Sequence, residues 1–247
     1  MKLTALLVLL TSTLSWAQTP TADQILAKVD ANMVSETRSN KTKMTSITPQ
    51  RTRPPFEMAI MAKGADVAAI EYIAPVRNKG TKMLRTGTEM KMWDPESERV
   101  STISGHMLRD GMMGTDLSYD DMMSITTLRT AYTSTLKGTE PCGNGETCYK
   151  LELNAKTASI SYPKRVMWVD TAHHIPLKQE LFAASGMLLK TWEMSQVTQF
   201  GDRWYPLKMV VMDKQQQGTS TVLEISELQF DVPLAEEVFS TRWLERH

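Results

Sequence analysis

Apolar residues recur along the chain at two spacings, and the shorter one dominates. Phe56, Met58 and Ile60 alternate with other residues on one face of an extended segment. Gly64-Ala-Asp66 then marks a turn, and Ile70 and Tyr72 resume the alternation before Ala74-Pro75. A period of two is the signature of a strand with one face turned to a core. Further segments of this kind run over Tyr149–Leu153, Arg165–Asp170, Pro176–Phe182, Met187–Thr198, Arg203–Met212 and Thr221–Phe230. Ala184-Ser-Gly186, Gly201-Asp202 and Gln217-Gly218 separate several of them as turns. About ten strands joined by short turns predict an antiparallel meander. Helical spacing appears near the N-terminus, where Ile25, Leu26, Val29 and Met33 follow the capping box Thr21-Ala-Asp-Gln24. This helix has a single apolar stripe, so it is expected to lie on the sheet.

The stretch from Lys79 to Met123 breaks the regular pattern. Met90 and Met92 alternate with Glu89, Lys91 and Trp93, and Asp94-Pro95-Glu96-Ser97 then reverses the chain into a strand carrying Val100 and Ile103. A glycine-punctuated loop follows, from Gly105 to Gly114, with Met107, Leu108, Met112 and Met113. Ser118-Tyr-Asp-Asp121 forms a second capping box, which starts a helix expected to run to about Thr127 and to carry Met122 and Met123. Glycines 105, 111 and 114 are expected to give this segment backbone freedom.

Composition adds a compartment. Lys2, the apolar run Leu3–Leu10 and Ser15-Trp16-Ala17 before Gln18 have the layout of a cleavable secretory signal, residues 1–17. That leaves a single domain over 18–247 and an expected periplasmic location. Cys142 and Cys148 are the only cysteines, and in an oxidising compartment they are expected to form a disulfide. The 28 basic residues match the 28 acidic ones, so nothing points to nucleic acid. A locally basic run of Arg38, Lys41, Lys43, Arg51 and Arg53 reads as a solvated edge, with docking to an anionic surface as the alternative.

The chemistry-bearing residues are few. His173 and His174 sit side by side in Asp170-Thr-Ala-His-His-Ile-Pro176, a turn from which neighbouring side chains point apart, so no metal site is expected. Asp116, Asp120 and Asp121 lack the alternating ligands of a calcium loop and read as helix caps. No nucleophile elbow, HExxH or phosphate loop is present, and no cofactor or catalytic residue is expected. Methionine stands out instead. Beyond Met1 there are 17, equal to the number of leucines from Gln18 onward, whereas leucine ordinarily leads. Unbranched, polarizable thioethers repack readily, so they suit either an irregular core, the reading for any single methionine, or a cavity that receives flexible chains of varied shape, the reading for the cluster Met107, Met112, Met113, Met122 and Met123.

Several segments together resemble the periplasmic outer-membrane lipoprotein-sorting proteins, a LolA/LolB-like family. They are KGTKMLR, MKMWDPESERVSTISGHML, GTDLSYDDM, WVD, PLKQELFAASGMLLKT, RWYPLKM and VFSTRWLE. Gly114–Met122 departs from the family form GSDFSYEDL but keeps the cap and the aromatic ring. The resemblance implies an α+β, mainly antiparallel fold, in which a curved sheet forms a half-open barrel covered by a few helices. It also implies acyl chains of lipoproteins or another lipid as cargo, taken from an inner-membrane transporter of ABC or RND/MMPL type toward an outer-membrane acceptor by a monomer. The candidate lipid-binding residues are Met90, Met92, Met107, Met112, Met113, Met122 and Met123, with the aromatics Trp93, Trp168, Phe182 and Trp192 lining the same space or filling plain core. An accessory module of a transporter that holds no lipid, and a hydrolase with scattered catalytic groups, are the alternatives.

Overall fold

A computed structural model describes residues 19–124, 128–143 and 145–245. The expected signal segment and the expected end of the helix near Thr127 lie outside these residues, and so does the side chain of Met123. Six strands come first: β1 (Thr37–Ile47), β2 (Phe56–Lys63), β3 (Val67–Ala74), β4 (Lys82–Thr86), β5 (Glu89–Asp94) and β6 (Arg99–Ile103). Seven more follow: β7 (Tyr132–Gly143), β8 (Glu146–Ala155), β9 (Lys164–Asp170), β10 (Pro176–Phe182), β11 (Leu188–Phe200), β12 (Arg203–Asp213) and β13 (Ser220–Phe230). They form one antiparallel sheet in the order β6-β5-β4-β3-β2-β1-β13-β12-β11-β10-β9-β8-β7. Each half is a meander, and the halves join where β1 pairs with β13. The sheet is curved and does not close, so β6 and β7 remain as edges of a half-open barrel.

The turns follow the local chemistry. Asp94 accepts from the Glu96 amide at 2.9 Å and from the Ser97 hydroxyl at 3.0 Å, which sets the β5–β6 reversal. Asp170 accepts from the amides of Ala172, His173 and Ile175, which shapes the histidine turn between β9 and β10. Cys142 and Cys148 are bonded across the β7–β8 hairpin, with Cα atoms 5.7 Å apart, the pairing expected of them.

Helix α1 (Ala22–Met33) begins at the expected capping box. The Gln24 amide donates to the Thr21 hydroxyl at 3.2 Å, and the Thr21 amide donates to the Gln24 side chain at 2.8 Å. Its apolar stripe of Ile25, Leu26 and Val29 is buried against Leu151, Leu153, Met167, Tyr205 and Leu228. The chain from Ser104 to Ala131 is the part that positions the site. It must carry the backbone from edge strand β6 to the opposite edge strand β7, so it has to cross a face of the sheet. It does so through two 3-10 turns, Gly105–Arg109 and Met112–Gly114, then α2 (Tyr119–Ser124) and α3 (Leu128–Ala131). This crossover and α1 lie side by side on the inner face. On the outer face, α4 (Thr241–Leu244) places Leu244 and Trp243 against Ala69, Leu84 and Trp93.

Candidate functional site

Under the crossover, the inner face is packed with thioethers. Met112 and Leu117 are fully buried against Met44, Met58, Met83, Met90, Trp192 and Met194, while Met92, Met113, Met122 and Met209 are partly buried around them. Two polar atoms within this cluster, Tyr72 Oη and Trp192 Nε1, have no hydrogen-bond partner among the described residues. Burial pushes the Tyr72 hydroxyl well above its ordinary pKa, so it stays a donor.

A buried polar latch fixes the crossover to the second half of the sheet. Asp121 is fully buried and accepts from Lys190 Nζ of β11 at 2.5 Å, from the Tyr162 hydroxyl at 2.7 Å and from the Ser118 amide at 2.7 Å. Lys190 also donates to the Asp116 carbonyl at 2.8 Å. The Asp116 carboxylate in turn receives the hydroxyls of Thr219, at 2.5 Å, and Thr221, at 2.8 Å. Burial, and then the Asp121 charge, hold Tyr162 protonated far above the usual tyrosine range. The capping box of α2 is present, with the Asp121 amide donating to the Ser118 hydroxyl at 3.1 Å. Asp116 and Asp121, however, do more than cap. Their charge is spent on contacts with strands far away in sequence, and Lys190 is a partner that local spacing could not reveal.

Several cavities flank this packing, and two of them border its apolar residues. One, of about 100 Å³, lies between Met33 at the end of α1 and Met122 of α2, over Ile60, Ile70 and Met209, with Arg38 and Arg85 in its wall. The other, of about 440 Å³, is lined by Leu108, Ala131, Tyr132, Ile160 and Tyr162 beside the crossover and shares Arg85 with the first. Arg38 comes from the basic run of β1, yet it differs from its neighbours. Lys41 and Lys43 pair with Glu227 and Glu224 on the outer face. Arg38 instead shares the face of Asn40, Thr42 and Met44, by simple alternation, and points to Tyr205. Arg53 donates to the Gly114 carbonyl at 3.1 Å and steadies the crossover.

The candidate residues thus divide. Met90, Met92, Met112, Met113, Met122 and Trp192 meet in the inner cluster. Met107 is 39% exposed in the first 3-10 turn. Three aromatics lie on the outer face: Trp93 packs on Leu244, Trp168 lies against the ammonium groups of Lys178 and Lys150, and Phe182 faces Lys164. Each is one strand position out of phase with an inward neighbour, as Trp168 is between Met167 and Val169.

Solved structures share this architecture. A protein from Vibrio parahaemolyticus described as an outer membrane lipoprotein-sorting protein domain is 26% identical, with a TM-score of 0.79 over 90% of this chain and 97% of that one. A DUF1329 family protein from Desulfovibrio piger is 23% identical, with a TM-score of 0.81 over 89% of this chain and 96% of that one. A LolA superfamily protein from Nitrosomonas europaea is 20% identical, with a TM-score of 0.78 over 91% of this chain and all of that one. No match was found among curated proteins. The model of a family described as "Uncharacterized protein" matches residues 64–246. The chain belongs to that family, and its fold is LolA-like. The matched region contains the whole crossover, the latch and the strands from β3 to β13.

Proposed function

We propose that the protein is a periplasmic lipid carrier. It binds the acyl chains of a lipoprotein or another lipid under the crossover, receives them from an inner-membrane transporter and passes them to an outer-membrane acceptor without chemistry. The observation that carries this reading is the crossover itself: a chain segment spans the open sheet from edge to edge, and outside its polar latch its apolar contacts with the sheet come mainly from methionine and leucine. Such side chains exchange packing partners at little cost, so the space can open for a chain and close after its departure. The cavity between α1 and α2, about 100 Å³, is far below the roughly 300–1,000 Å³ of ligand pockets, so an acyl chain entering there has to displace the packing around it. A half-barrel that held its apolar lining open without cargo would expose a large patch prone to association. The likeness to the lipoprotein-sorting domain and to the LolA superfamily structure supports this reading.

The tight packing also favours a second reading, in which the protein docks on a transporter and holds no lipid. Native mass spectrometry of protein purified from the periplasm separates the two. Lipid that co-purifies, and is displaced by acyl probes, supports the carrier. An empty protein that binds no acyl probe supports the accessory module.

A further inference from the structure

The register of the first four strands places two arginines at the ends of one cross-strand row. Arg38 of β1 faces Ala62 of β2, Ala62 faces Ala68 of β3, and Ala68 faces Arg85 of β4. With strands roughly 4.8 Å apart, the arginine Cα atoms are about 14 Å apart, and only methyl groups lie between them. Both arginines line the cavity roofed by Met33 and Met122, and its described lining contains no carboxylate.

Their charges are unevenly met. Arg85 donates to the Gly87 carbonyl at 3.0 Å and to Asp66 at 3.3 Å, but that carboxylate is 58% exposed at the rim. Arg38 has no ion pair among the described residues. It donates to the Tyr205 hydroxyl at 2.5 Å, lies 5.6 Å from the centre of that ring, and buries its Nε with no acceptor. Placing guanidinium groups against an apolar lining is costly unless an anion meets them.

We infer that this cavity recognises the anionic head of an amphiphile, a phosphate or carboxylate held between Arg38 and Arg85, while its tail lies along the methionines. This rests on the carrier reading and narrows it from acyl chains in general to acyl chains next to a negative group. Planar guanidinium forks suit both oxyanions, and the alanine row leaves the space for one.

The test compares cis-parinaric acid with its methyl ester, which have the same chain and differ in charge, by fluorescence titration of the full-length processed protein at pH 8. The acid should bind at least about tenfold more tightly, the scale of a charge-assisted hydrogen bond. Arg38→Gln should remove about tenfold from the acid and leave the ester unchanged. Equal binding of acid and ester to the native protein overturns the inference and leaves the carrier reading intact, as does a preference that survives in Arg38→Gln. Displacement of the acid by millimolar inorganic phosphate assigns the site to a small free anion and also overturns it. If neither probe binds, the carrier reading itself fails and the inference falls with it.

Discussion

Asp121 shows how one side chain can hold a segment shut. Its carboxylate is taken wholly out of water, which is tolerable because a lysine, a tyrosine and a backbone amide converge on it. Removing Lys190 leaves the charge buried and uncompensated, so Lys190→Met is expected to destabilise the protein by about 3–5 kcal/mol, measured by urea denaturation. The companion Asp121→Leu/Lys190→Met double substitution removes both charges and should recover only part of that loss, because it avoids the desolvation cost of the pair but leaves the Tyr162 hydroxyl and the Ser118 amide without their acceptor. A single variant as stable as the native protein would show that the pair is solvated. The capping box makes Asp121 legible in the sequence, but there its charge reads only as local. The box is visible because Ser118 lies three residues away, whereas Lys190 lies 69 residues away on a strand that betrays nothing of its partner.

At the scale of elements, the crossover is more tightly built than its glycines suggest. Gly111 was expected to supply freedom, but it pairs with Ser118 in an isolated bridge, and the Met112 amide donates to the Leu117 carbonyl at 2.7 Å. A Cβ at position 111 would lie 2.0 Å from the Thr115 carbonyl oxygen, a backbone atom that cannot step aside. Gly111→Ala is therefore expected to disorder the Met112–Gly114 turn, lowering the thermal midpoint by several degrees and exposing Met112 to peroxide oxidation. An unchanged midpoint and an unoxidised Met112 would refute this. Most strands were legible, because apolar alternation and turn residues coincide from Phe56 to Phe230. The described residues nevertheless form thirteen strands where the sequence predicts about ten, and β7 shows why. Its sequence, TSTLKGTEPCG after Tyr132, is polar, broken by Gly138 and Pro141, and largely exposed as an edge strand. Arg38 was equally readable in principle, since it shares parity with Met44, but counting charges along a run groups it with lysines of the opposite face.

For the whole molecule, the arrangement separates a rigid part from a releasable one. The long strands β11, β12 and β13 are bonded on both sides through the middle of the sheet, where opening a ladder would disturb two neighbours. The crossover contributes short turns and two short helices, and it touches the sheet through repackable methionines and one polar latch. Helix α1 covers the adjoining part of the same face with a branched aliphatic stripe, Ile25, Leu26 and Val29, that resists repacking. Cargo entry should therefore displace the crossover and leave the sheet and α1 nearly as they are, since local opening draws on the segments with the lowest stability. Hydrogen exchange of the protein with and without a bound acyl probe checks this. Amides from Ser104 to Ser124 should change their exchange rates on loading, while those of β11 and β12 stay within error. Changes confined to α1 would make that helix the moving cover, and uniform protection across the sheet would mean that acyl chains stabilise the barrel as a whole without entering beneath the crossover.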